Sequence, residues 1–546
     1  MTAAVATTLA ACSVDDELTV VNTDQPDVER AYSTPSGIEA IIRGGYSQIL
    51  GATHGTSGAI QPAAEVIALE NYGSVANFGM NLRASIPRLP IDNNRGNATA
   101  AENNRDFSQL SLRGRTVSNA IGALDRLKAS GGTLGSAAND ARARSFGFFV
   151  VAMANAKLAI AYDSVGVILP AMETSEIPSL SGYKDAMTTA LAQFDSAIAI
   201  AQGTSFTIPG AGTTAWLRTG ADISSANYIR LLRSFKARFR AGVARNPTER
   251  AAVDWAKVID DAANGITADV VLDMNANEGW SNAWINQAMV LQGWHMMTPY
   301  IIGMADTSGA YDTWLATPRG SRVPFLIRTP DKRFPAGATR AEQLANSPAA
   351  SAQLPSVYFR NRAPGEDTPG DAWGTSFYDF VRFRSYRQNS SIGPWVLFSK
   401  VENDMLRAEG LIRLNRAAEA VPLVNASRTA NGLPAFTDAT SRAPGGNACV
   451  PRTPTGAGGA TECGTLLEAM KWEKRMETLF TGWIQWFQDS RGWGDLPLNS
   501  AQQWPVPYQE MDARSQPFYN GPPVGLESDP VWTARTSTYG FGAGSR

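Results

Sequence analysis

The sequence predicts a mainly α protein, built from paired helices and interrupted by one large irregular segment. Three observations carry that expectation. Apolar residues recur at helical spacing in several separate stretches, and short turn-rich links join them. Between about Thr267 and Ser391 the stripes stop, while Trp, Asn and Pro accumulate.

With 546 residues the chain can bury a sizeable core. Its 48 basic and 50 acidic residues give a net charge of −2, without the clustered basic surface that nucleic acid demands. A hydrophobic content of 44% with 14 Trp excludes overall disorder. The only histidines, His54 and His295, cannot build a three-His metal centre. The expectation is no metal, no cofactor and no catalytic residue.

From the amino terminus, Met1 to Ala11 is small-residue rich, apolar and too short to span a bilayer. It reads as a signal peptide (1–11) shortened at its start, since no basic n-region precedes it. Leu9-Ala10-Ala11-Cys12 resembles a bacterial lipobox, with Cys12 as the lipidated first mature residue. Asp15, Asp16 and Glu17 follow it, resembling a surface-export signal. No other stretch reads as a membrane span.

Ile38, Ile42, Tyr46 and Ile49 form the first helical stripe, with Ser36 as its expected N-cap. Val117, Ile121, Leu124 and Leu127 form the second. Asn139 to Tyr162 is apolar nearly all round, which predicts a helix at the centre of the body. Tyr183 to Ile198 and Tyr228 to Phe239 carry further stripes, and Trp255 with Ile259 a shorter one. Helices resume at Val401–Leu414 and Ala417–Thr429, the latter stopped by Asn431-Gly432. A long final helix is expected from about Leu466 to Gln488. The pairing resembles tetratricopeptide-type helical hairpins without a strict consensus repeat.

Cys449 and Cys463 bracket a Gly- and Pro-rich loop. In an exported chain a disulfide is expected between them.

Family resemblance enters through the carboxy-terminal text. Met405-Leu406-Arg407-Ala408-Glu409-Gly410, Asn415-Arg416-Ala417-Ala418-Glu419-Ala420 and Asn431-Gly432-Leu433-Pro434 occur in order. Glu473-Lys474-Arg475-Met476-Glu477-Thr478-Leu479-Phe480 and Trp504-Pro505-Val506-Pro507-Tyr508-Gln509-Glu510 follow. Order and spacing are similar to the SusD/RagB family. Thr478 and Thr481 depart from its usual residues, and the loop around Cys449 looks like an extension. The resemblance implies a SusD-like fold with residues 12–266 as an amino-terminal helical part. Residues 267–397 would form a loop- and aromatic-rich segment, and 398–546 the carboxy-terminal part of the same body. It further implies an outer-membrane lipoprotein facing the exterior. Such a protein captures oligosaccharide or a similar nutrient for a SusC-like TonB-dependent transporter, and does not cleave it. A carbohydrate hydrolase and a non-transport adhesion protein are the competing classes.

For the ligand site, Trp280, Trp284, Trp314, Tyr311 and Asn282 are the candidates. Flat rings stack on sugar faces, while amides and carboxylates such as Asn275 and Asp312 meet hydroxyls. Core filling competes with this for each Trp. Tyr72 and Arg83 join them because that loop contributes to the pocket in the family. Glu473 and Glu477, one turn apart, are read as ion-pair partners of arginines such as Arg475 or Arg428. A glycosidase pair would instead flank the scissile bond.

Overall fold

The computed structural model describes residues 31–520 and 537–542, apart from 74–77, 79, 81–82, 84–87, 89–90, 98–100, 174, 291–294, 350–351, 367–374 and 457–458. Cys12 and the signal-like segment lie outside the described residues. The first helix, α1 (Pro35–Thr53), is capped by Thr34, whose Oγ1 accepts from the Gly37 N–H at 3.2 Å. The expected cap Ser36 lies inside the helix instead. Pro35 decides this, because its fixed φ and missing N–H suit the first helical position.

Two long helices further along, α2 (Ala101–Ala129) and α3 (Ala137–Ala161), pack on one another and on α1. Ile38, Ile42, Tyr46, Ile49, Val117, Ile121 and Leu124 are all buried, as their spacing requires. By length and composition α3 could cross a membrane, which corrects the expectation that no further stretch could. Its apolar window is 89% buried, so here the all-round apolar surface meets protein. Next come α4 (Tyr183–Gly203), which lies along α3, and α5 (Ser225–Gly242), which lies along α4. α6 (Trp255–Ala263) follows.

In the carboxy-terminal half, α7 (Lys400–Arg413) packs on α6 and on α8 (Ala417–Ala430). α8 ends as expected: Gly432 takes φ +78° and the Leu433 N–H returns to the Arg428 carbonyl at 2.9 Å. α9 (Leu466–Thr478) and α10 (Gln485–Trp493) then replace the single long helix that periodicity predicts. Between them Phe480, Gly482 and Ile484 all have positive φ. Tertiary partners hold this break. The Phe480 N–H donates to Glu70 at 2.8 Å, and Trp395 Nε1 donates to the Phe480 carbonyl at 3.0 Å. His54 Nε2 lies 2.6 Å from the Gly482 carbonyl oxygen. Leu479 and Phe480 are core residues, as expected, although they sit in the break and not on the helix.

The irregular segment is closed at its base. β1 (Val270–Asn275) pairs antiparallel with β2 (Ile392–Phe398), with Leu272 opposite Trp395 and Asn275 opposite Ile392. Every other strand among the described residues has two or three residues and belongs to a two-stranded pair. The protein is therefore mainly α.

Buried arginines substitute for missing helix partners. Arg245, fully buried, donates to the Ile160 and Tyr162 carbonyls at the end of α3, groups that the helix leaves unpaired. Arg491 does likewise for the Gly242 carbonyl at 3.0 Å and Gln502 at 2.7 Å.

Candidate functional site

The seven residues expected to meet ligand are all buried, and two aromatic clusters gather several of them. In the first, Trp284 is inaccessible and its Nε1 donates to Glu65 at 2.7 Å. Its ring meets His295 edge-on at 5.1 Å and Phe78 at 6.2 Å. Tyr72 pairs with Met296 in a short antiparallel ladder, which brings the early loop beside this cluster. Trp280 packs near Tyr46 at 6.3 Å. Asn282 caps the helix 283–288, its Oδ1 accepting from the Ile285 N–H at 2.9 Å.

The second cluster lies on the helix 310–316. Tyr311 and Trp314 stack at 6.3 Å, and Tyr300 meets Trp314 edge-on at 5.0 Å. The Arg322 guanidinium covers Trp314 at 4.4 Å, and the Tyr311 hydroxyl donates to the Tyr300 carbonyl at 2.6 Å. Open stacking platforms are thus not what Trp280, Trp284, Trp314 and Tyr311 present. They fill the interior of the irregular segment, where large rings bury the most apolar area. Arg83 and Tyr72 are likewise interior, at 6% and 7% exposure.

Polar groups read as sugar partners have other tasks. Asp312 accepts from the Thr461 N–H at 2.9 Å and its hydroxyl at 2.6 Å, pinning the 449–463 hairpin. Asn275 Oδ1 caps the 276–278 turn. The hairpin itself is closed by the Cys449–Cys463 disulfide.

Among the rings packed against these two clusters, Phe78 and Phe325 are half-buried. Phe325 lies 6.2 Å from both Tyr311 and Trp314, so it is where the second cluster emerges. Beside it Val323 is 65% exposed. Neither ring was marked by periodicity, because each lies in a segment with no helical stripe.

A separate cleft of about 350 Å³ lies between the first turns of α5 and the start of β1. Leu231 and Ile266 line its floor, with Asp222, Asn227, Arg230 and Asp269 at the rim. Its volume falls within the range of small-ligand pockets. Segments about forty positions apart build it, so no local motif announces it.

Carboxylates in the family-like helix are committed to arginines. Glu473 lies 3.0 Å from Arg333 and accepts from the Ser427 hydroxyl at 2.6 Å. Glu477 accepts from the Tyr358 hydroxyl at 2.9 Å and from Arg382 at 3.2 Å. The ion-pair reading holds for Arg428, which lies 3.9 Å from Glu473, but not for Arg475, which pairs with Asp495 at 2.5 Å; Arg333 and Arg382 are the closer partners of the glutamates. Three other carboxyls are deeply buried. Burial pushes Glu70 up to about 8 and Asp106 up to about 7, and raises Glu65 well above its ordinary value. Glu70 and Asp106 accept backbone N–H groups, of Phe480 and of Ile60, so both are structural ties.

No family model and no curated protein sequence matches the chain. Solved structures do. A SusD superfamily protein from Bacteroides thetaiotaomicron superposes with a TM-score of 0.54 at 11% identity, covering 90% of this chain and 100% of that one. A SusD homolog from Parabacteroides distasonis gives 0.54 at 13% identity, covering 88% and 93%. The chain has the SusD/RagB fold. A SusD-like carbohydrate binding protein from Bacteroides vulgatus matches at 0.50 and 13% identity over 94% and 95% of the two chains. At such identities the likeness is one of fold. Within this SusD-like fold, the 449–463 hairpin and the aromatic segment meet at Asp312, so the cross-linked loop braces the helix carrying Trp314.

Proposed function

We propose that the protein is a surface-exposed nutrient-capture lipoprotein. It binds oligosaccharide, or a nutrient of similar chemistry, and delivers it to a SusC-like TonB-dependent outer-membrane transporter. Cys12 carries the lipid anchor, and the protein binds without cleaving. The observation that carries this reading is the SusD-like fold across nearly the whole chain, shared with a carbohydrate-binding protein at a TM-score of 0.50. Engagement of Glu473 and Glu477 by arginines and a tyrosine supports binding over hydrolysis, since a glycosidase needs one carboxyl free to move a proton.

In this reading the ligand meets the aromatic segment where its clusters emerge. Phe325, above Tyr311 and Trp314, and Phe78, above Trp284, offer ring faces, while the buried rings hold them rigid. The test is calorimetric titration of the wild type against a glycan panel, with Phe325→Ala and Phe78→Ala beside it. A binding glycan whose affinity falls at least tenfold in one variant, with melting temperature unchanged, supports the site. Release of reducing sugar from that glycan would overturn the non-enzymatic reading. Saturable binding that neither variant alters moves the site elsewhere, the cleft at Arg230 first.

A further inference from the structure

A small enclosed cavity of about 20 Å³ lies where α1, α3, α5, β2 and the break between α9 and α10 converge. Its wall includes His54, Lys157, Arg238, Trp395, Trp483 and Gln488. The charges around it do not balance. Arg238 is held by Glu402 through two bonds of 2.7 and 2.6 Å, and Arg105 lies 3.1 Å from Asp106. Asp106, already bonded to Arg105, also acts on Lys157, but from beyond salt-bridge distance. Lys157 is 7% exposed, and among the described residues it has no carboxylate within salt-bridge distance. Its hydrogen-bond contact is Thr53 Oγ1 at 3.5 Å, and its Nζ stands 4.8 Å from the Trp483 ring centre.

Two further groups in the wall are unanswered. Trp483 Nε1 and Gln488 Oε1 are buried without hydrogen-bond partners. Both side chains are more than nine-tenths buried. A buried donor left unmet is destabilising, and an isolated buried charge more so. His54 adds no charge, because burial lowers it to about 3.

We propose that this cavity is a binding site for a single monovalent anion of halide size, held by the Lys157 ammonium and the Trp483 indole N–H. The volume suits one small particle, since a single water needs about 10–15 Å³ on this measure. An anion gives Lys157 a counter-ion in contact and takes up the orphaned N–H together. A water would take up the N–H and could donate to Gln488, but would supply no counter-ion. Burial, with Arg238 nearby, lowers Lys157 to about 7 against the opposing pull of Asp106. The anion would tie α1 and α3 to the segment 482–488, so its effect is on stability, independent of glycan binding.

The experiment uses the whole protein, exchanged into sodium gluconate and titrated with sodium bromide at constant ionic strength. Melting temperature is followed by calorimetry, and crystals grown in bromide are measured at the bromine absorption edge. The expected result is a saturable rise in melting temperature and an anomalous peak beside Lys157 and Trp483. Lys157→Met should melt at a temperature indifferent to bromide. Equal melting in gluconate and bromide, with no anomalous peak in the cavity, would overturn the proposal in favour of a water. An undiminished bromide response in Lys157→Met would overturn it as well. If that variant does not fold, the wild-type anomalous map decides alone.

Discussion

At the scale of single residues, burial sets the chemistry. Glu70 receives the Phe480 N–H, yet desolvation raises it to about 8 from an ordinary 4.5. The folded state therefore holds a proton that the unfolded chain releases above pH 4.5. The stabilising effect of that proton is complete below 4.5 and is lost as pH rises through 8. Glu70→Gln keeps the shape without titrating. Relative to the wild type it should gain stability between pH 5 and pH 8.5, read as a widening difference in melting temperature. Phe480 gives a second case. With 1% exposure, its truncation to Ala should cost about 3–5 kcal/mol in urea unfolding. The same holds for Trp284, whose loss also leaves the buried Glu65 carboxyl with Gln61 as its donor. A Trp284→Ala protein as stable as the wild type would show that ring to be no core residue.

Elements here depend on what neighbours supply. α9 and α10 share one apolar text with the residues between them, so periodicity alone reads one helix from Leu466 to Gln488. Glu70, His54 and Trp395, from far along the chain, supply the hydrogen bonds that a continuous helix would have made within itself. Gly482, at φ +60°, marks the bend. Gly482→Ala should cost about 1 kcal/mol, the usual penalty of a Cβ in the left-handed region. The 449–463 hairpin is a second dependent element. Replacing both cysteines by Ser should lower stability by roughly 3 kcal/mol in the chain-entropy view, read by urea unfolding. Asp312→Ala, which frees the hairpin from the helix 310–316, should then add little to that double variant, because both changes loosen the same contact.

For the whole molecule, the SusD-like fold sets expectations that single elements do not. Far-ultraviolet circular dichroism should be dominated by helix, and a strand-dominated spectrum would contradict the architecture. Charged residues fasten its halves together in the interior. Arg250 of the segment after α5 binds Glu409 of α7 at 2.9 and 2.5 Å and Asp489 of α10 at 3.2 Å, all nearly inaccessible. Arg250 holds Glu409 well below the usual carboxylate range, against the opposing effect of burial. Without Arg250, Glu409 keeps Arg413 and Trp493, and Asp489 keeps Lys474 as its ion-pair partner, so Arg250→Met should cost up to about 3–5 kcal/mol, while the double change Arg250→Met with Glu409→Leu should recover part of it.

Much of the architecture was legible in the residues. Helical stripes from Ile38 to Phe239 are local patterns, and one buried face per helix is what they encode. The disulfide was legible because two cysteines bracket one short loop. The ordered carboxy-terminal motifs were enough to name the fold. The candidate site was not legible in the same way. Trp280, Trp284 and Trp314 are as suited to a core as to a sugar, and composition does not say which way a ring faces. Their burial, the emergence of Phe78 and Phe325, the cleft at Arg230 and the unpaired Lys157 all arise from segments tens to hundreds of positions apart. The chain's own text determined which stretches coil and which pairs of residues attract. Only tertiary packing decided which side chains lose water, because desolvation depends on everything that closes around a group and not on its neighbours in sequence.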